Sequence, residues 1–190
     1  MASPRPLLEL SLAEWLDELA QPRPAPGGGS ALAFAVASAA GVLAMAARLS
    51  DAPGLAAQAE ALRARTTPLA QLDSDTYAAA LAAHEETEGL RPEQRDWELG
   101  RVFARAAEPP LEIARAAADV AGLAAELAEF GDSRIRADAL AAAALAAAAA
   151  RGAVALVTVN LTAVAGDPRV AEAERLAAAA EEAAARVAPA

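Results

Sequence analysis

Apolar residues along this 190-residue chain recur at three- and four-residue intervals, the spacing of a helix face, and no stretch alternates as a half-buried strand would. Leu12, Trp15, Leu16 and Leu19 form the first such face. Ser11-Leu12-Ala13-Glu14 in front of it reads as a capping box, with the Ser hydroxyl on the Glu14 N–H and the Glu14 carboxylate on the Ser11 N–H. Pro22 closes this helix, and a second is predicted from about Gly28 to Ser50. A third starts at Asp51-Ala52-Pro53, where Pro suits a first turn, and runs to about Glu88 with a kink or break expected at Pro68. A fourth covers Pro92 to Ala107, and Pro109-Pro110 then forces a new start. The fifth ends at Phe130 before Gly131. Asp132 or Ser133 caps a long sixth helix that reaches about Val164 with Gly152 inside it, and Asp167-Pro168 opens the last, ending near Val187. Seven helices without a strand predict an all-α, up-and-down bundle that forms one domain over residues 1–190.

Two of these helices are apolar almost all round. Ala31 to Ala47 contains no charge, and neither does Ala139 to Ala150. With Ser30 the first run, Ser30 to Ala47, is long enough to raise the question of a membrane span, but it is mostly Ala, which gains little from lipid, and Glu9, Glu14, Asp17 and Glu18 precede it. A helix apolar all round also suits the centre of a bundle, so a soluble cytoplasmic protein with no membrane partner is expected. Ala makes up about a third of the chain. Small side chains let helices approach closely yet bury little area each, which favours extra burial in a homodimer.

Composition removes several chemistries. There is no Cys and one His, so thiolate sites, Cys nucleophiles and multi-histidine metal sites within the chain are excluded, and no metal site is assigned. The net charge is −10 and all 16 basic residues are Arg, scattered along the chain, which makes nucleic acid a poor partner.

Candidate chemistry lies in polar residues that interrupt apolar helices. Asp138 heads the uncharged run of the sixth helix, where it either serves the helix dipole or, partly desolvated, handles a proton. Asn160 makes a weaker demand of the same kind. In a continuous helix the two stand about 33 Å apart. They can share a site only if Gly152 breaks the helix or a second subunit supplies one of them. Asp73 and Tyr77 share a face of the third helix, and Asp73 is either a buried acid or an exposed one. Asp75 diverges from Asp73 and makes no metal pair with it. His84 reads as an exposed residue at a helix end, and Arg101 with Arg105 as either a solvated face or an anion clamp. Gly27, Gly28 and Gly29 fit no nucleotide loop, because no Lys follows and no strand precedes them, yet they leave a bare helix start open to close approach.

Four ordered blocks carry a family resemblance. "PRPAPGGGSALAFAVASAAGVLAMAARLS" is similar to "PTPGGGS…AAL…MVANLT", and "LDSDTYAAALAA" to a helix with an Asp followed by an aromatic residue. "AAEPPLEIARAA" is similar to "AT.VPLEIAE.A", and "GDSRIRADALAAAAL" with "ALVTVNL" to "GNPNAISDAGVAALL…NVRINL". These patterns belong to the cyclodeaminase domain of formimidoyltransferase-cyclodeaminases and to the related methenyltetrahydrofolate cyclohydrolases, and the resemblance spans about Leu12 to Val164. It implies a helical dimer that binds a tetrahydrofolate derivative as substrate, needs no further cofactor, and moves a proton at the one-carbon bridge. Residue by residue it implies catalytic roles for Asp138 and Asp73, and substrate-binding roles for Gly27, Gly28, Gly29, Ser30, Glu112 and Asn160.

The chain also departs from that pattern. "AHEETEGLRPEQ" stands where the family has a Lys after the third helix, Asp132 and Arg134 replace asparagines, and Ala137 replaces a Ser. Two functions therefore follow: a folate cyclohydrolase or cyclodeaminase, or a divergent, inactive helical dimer kept for binding or structure.

Overall fold

A computed structural model describes residues 5–130, 133–162, 164 and 166–187. A 3₁₀ turn at Leu7–Glu9 leads into α1 (Leu12–Leu19), where the capping box forms, with the Glu14 N–H on Ser11 Oγ and the Ser11 N–H on Glu14 Oε2. Next come α2 (Gly28–Leu49) and α3 (Pro53–Thr66), joined at Asp51 in the left-handed region, φ 54°. The expected interruption at Pro68 is a full break, and α4 (Leu69–Glu86) starts after it. The remaining helices are α5 (Pro92–Ala106), α6 (Glu108–Phe130), α7 (Ser133–Asn160) and α8 (Pro168–Val187). Pro109 and Pro110 lie in the first turn of α6, where a missing N–H costs no helix hydrogen bond. No strand occurs among the described residues. Because the third predicted helix divides, eight α-helices stand among the described residues where seven were expected.

α7 runs against α2, α6 and α8, and α3 packs on α2 and α6. Of 36 buried residues in the main core, 26 are alanine. Close helix contact follows. Gly152 does not break α7: a Cβ there would come 2.9 Å from the methyl carbons of Leu32 on α2, so the two helices are in close contact at this point. Gly28 likewise faces Leu156. These two contacts run in opposite directions along the chain, so α2 and α7 are antiparallel and the start of α2 lies beside the end of α7. α2 and α7 are long and apolar enough to cross a membrane by length and composition, yet 50% and 44% of those stretches are buried within the bundle.

Just beyond the end of α7, Arg169 ties α8 to the α5–α6 junction. It donates to Asp167 Oδ2 at 2.8 Å, Glu108 Oε1 at 2.6 Å and the Ala104 carbonyl at 2.8 Å. Its guanidinium holds the Asp167 carboxyl down at about 2. α5 packs mainly on α4.

Candidate functional site

α2 begins without a side-chain cap, because its N-cap residue is Gly27. The carboxyl of Asp73, brought across by α4, occupies the space beside that first turn. A Cβ on Gly29 would fall 2.0–2.4 Å from the three Asp73 carboxyl atoms, so only glycine at this position leaves room for the acid. Ser30 is fully buried behind it; its hydroxyl donates to the Ala70 carbonyl at 2.7 Å and stands 3.5 Å from Asp73 Oδ2. Asp73 is 8% exposed. Burial pushes its carboxyl up from 3.8 to about 6, while the Ser30 backbone N–H and hydroxyl pull it down. The outcome is an acid that exchanges its proton near neutral pH.

Asp73 opens into a cavity of about 180 Å³ between the start of α2, α4 and the end of α7. Pro24, Ala25 and the three glycines form one wall, and Leu156, Val159 and Asn160 the other. Tyr77, one helical turn after Asp73, lines it as well and meets Phe103 of α5 edge-on at 6.5 Å between ring centroids. Asn160 is 7% exposed, and its amide nitrogen donates to the Ala106 carbonyl at 2.9 Å. Only the nitrogen of the amide can donate to that carbonyl, so the bond fixes the amide orientation and leaves Oδ1 as the side chain's acceptor. The site therefore combines a proton-exchanging acid, an oriented acceptor, a backbone wall without side chains and an aromatic ring.

The structure thus brings Gly27, Gly28, Gly29, Asp73 and Asn160 to one cavity, with Ser30 directly behind the acid. Two residues named from the sequence lie elsewhere. Glu112 pairs with Arg115, which also holds Glu172 of α8 at 2.7 Å, and lines no part of the cavity. Asp138 sits half-buried near the start of α7. α7 is continuous, so Asp138 stands about 33 Å from Asn160 and does not reach the cavity within one chain. Pro24, Ala25, Leu156 and Val159 were not found from the sequence. Leu156 and Val159 precede Asn160 by four residues and one, and helix periodicity alone does not tell a cavity wall from core. Among the described residues no cluster of three His, Asp or Glu side chains is placed to hold a metal.

Comparison with known proteins places this geometry in a family. The sequence profile named formiminotransferase-cyclodeaminase matches residues 11–181. Among solved structures, the crystal structure of formiminotetrahydrofolate cyclodeaminase from Thermotoga maritima is similar, with a TM-score of 0.84, 26% identity and 95% of each chain covered. Comparison with curated proteins gives no match. The profile spans most of the chain and the solved fold nearly all of it, and the chain belongs to the formiminotransferase-cyclodeaminase family.

Proposed function

We propose that the protein is a folate one-carbon enzyme that closes formimino-tetrahydrofolate to methenyl-tetrahydrofolate with release of ammonia. The observation that carries this reading is the buried Asp73 carboxyl, pushed up to about 6 and facing the cavity over Gly29. Ring closure needs N10 to attack the carbon of the protonated formimino group and lose its proton, while the departing NH2 nitrogen gains one proton and leaves as ammonia with the electron pair of its C–N bond. One carboxyl that changes protonation state near neutral pH serves both transfers, taking the proton from N10 and giving one to the leaving nitrogen. The glycine wall lets a flat bicyclic ring lie against backbone, Tyr77 offers it an aromatic surface, and Asn160 Oδ1 accepts from a ring N–H.

The inactive-scaffold reading is favoured by one observation: Asp73 lies over the uncapped start of α2 with the Ser30 N–H on its carboxyl, as a cap supplied from another helix would. One variant separates the two. Asp73→Asn keeps shape and loses the titrating proton; an enzyme loses about 10²-fold or more in kcat and retains folate binding. Appearance of methenyl-tetrahydrofolate absorbance from the formimino substrate measures the closing reaction, and its decay measures the hydrolytic opening of a cyclohydrolase. Unchanged turnover with lowered thermal stability would assign Asp73 to structure alone.

A further inference from the structure

Hydroxyl groups within these helices mostly turn back on their own backbone. Ser38, Thr66, Thr76 and Thr158 each donate to the carbonyl four residues earlier in the same helix. Ser30 does not. It is the third residue of α2, so the residue four positions before it is Pro26, outside the helix. Its hydroxyl crosses instead to α4 and donates to the Ala70 carbonyl at 2.7 Å.

One hydroxyl hydrogen therefore stands between two acceptors. Asp73 Oδ2, about one turn beyond Ala70 on α4, is 3.5 Å from the same Oγ, at the outer limit of a hydrogen bond. The Ala70 carbonyl does not depend on Ser30, because it lies inside α4 and the helix ladder supplies it with the N–H of Ser74. Ser30 can leave it without orphaning a buried oxygen, by turning about its Cβ–Oγ bond and closing toward Oδ2. The Ser30 N–H, one of those at the start of α2 that lack an acceptor within the helix, is already on that carboxyl.

No charged neighbour competes for the acid. α2 is uncharged to Ala47, Pro24 and Ala25 carry no charge, and α7 brings Leu156, Val159 and Asn160. α5 sets Phe103 against Tyr77, which is the other titratable group among the described residues lining the cavity. Asp75 of α4 is taken by Gln71 at 2.8 Å. Burial and the two donors of Ser30 are what set the value of Asp73.

We infer that Ser30 is a positioning residue for Asp73: its hydroxyl rests on the Ala70 carbonyl while the acid holds its proton, and moves to Oδ2 when that proton leaves. The carboxylate then has two donors from the first turn of α2, which keep it facing the cavity for the next proton. Ser30 is fully buried and lines no part of the cavity, so it acts on a substrate only through Asp73. The catalytic consequence rests on the folate reading; the hydroxyl movement does not.

Carbon NMR on labelled protein tests the movement without substrate. The Asp73 carboxyl resonance is identified as the one lost in Asp73→Asn. In wild type the Ala70 carbonyl carbon should shift upfield as pH rises through the Asp73 midpoint, because it gives up a donor there. Ser30→Ala deletes a single oxygen. In that variant the Ala70 response should vanish and the Asp73 midpoint should rise by about one pH unit, since a donor to the charged form is gone. An Ala70 carbon indifferent to the Asp73 titration in wild type overturns the inference, whether or not the variant folds. An unmoved Asp73 midpoint in folded Ser30→Ala overturns it as well. Steady-state kinetics test the consequence. Asp73 must be ionised to take the N10 proton, so the acidic limb of kcat should move up by the same unit in Ser30→Ala, with KM little changed. A limb that stays in place while the carboxyl midpoint moves removes Ser30 from catalysis. If the wild type turns over no folate, the functional reading fails, and the carbon titrations still decide the movement of the hydroxyl.

Discussion

The Asp73 carboxyl rests against the α-carbon of Gly29, where a methyl group would lie 2.0 Å from Oδ1. The glycine and the acid therefore form one unit contributed by two helices. Gly28, one residue earlier, has only Leu156 within 4 Å of the same construction, at ordinary van der Waals distance.

This asymmetry yields a prediction. Gly29→Ala should turn the Asp73 side chain out of position and lower turnover by about 10²-fold, as Asp73→Asn does, with the helical fold intact. Gly28→Ala should fold and keep Asp73 in place, and the larger Gly28→Val should raise KM by narrowing the cavity. Circular dichroism with steady-state kinetics on the three variants checks this. Full activity in Gly29→Ala would show that the acid does not need its place over Gly29.

Asp73 also predicts a pH dependence of stability. Its folded value of about 6 exceeds its ordinary value, so between about pH 4 and pH 6 the folded chain binds more protons than the unfolded one. Stability therefore falls as pH rises through this window, by an amount on the order of 2–3 kcal/mol. Asp73→Asn should lack that component: it should unfold at higher urea concentration than wild type at pH 7, with the gap closing toward pH 4. A gap that widens on acidification would mean that the carboxylate is stabilised, not strained, by its burial.

Asn160 gives a test of opposite sign. Its amide nitrogen meets the Ala106 carbonyl at 2.9 Å, so Asn160→Asp places an oxygen against an oxygen when ionised and a donor there when protonated. The variant should be less stable than wild type by about 1–3 kcal/mol at neutral pH and should recover in acid. Asn160→Leu should show the loss without the recovery. Urea titrations at two pH values separate them.

The helices were legible because their stops are chemical: Pro22, Pro53, Pro92, Pro109 and Pro168 each bound an element by removing an N–H or fixing φ. The Pro68 position left kink and break equally open, and the local sequence does not decide between them: α3 and α4 both pack on α2 and α6, with α5 added for α4. The site was half legible. The glycines, Asp73 and Asn160 stand out as polar or bare positions in apolar sequence, whereas Leu156 and Val159 look like any core residue until the antiparallel contact of α2 with α7 brings them to the glycine turn. Glu112 matches the family pattern, yet its partner Arg115 and the reach of that arginine to Glu172 are tertiary facts with no local signature. The distance of Asp138 from Asn160 was readable as arithmetic; whether Gly152 would interrupt the helix was not.

An interior built chiefly of methyl groups has a direction in which it tolerates change. Where 26 of 36 described core positions are alanine, most sites have only one methyl group to delete, and most exchanges there are enlargements. Each added methylene must push apart helices already at contact distance, as Leu32 and Gly152 show, at a typical cost of about 1–3 kcal/mol. Sequence drift in this protein is thereby channelled outward to its solvent-facing positions, and a thermostable version is to be sought in caps, ion pairs and loop stiffening, since its alanine-lined helix contacts leave little room for larger side chains.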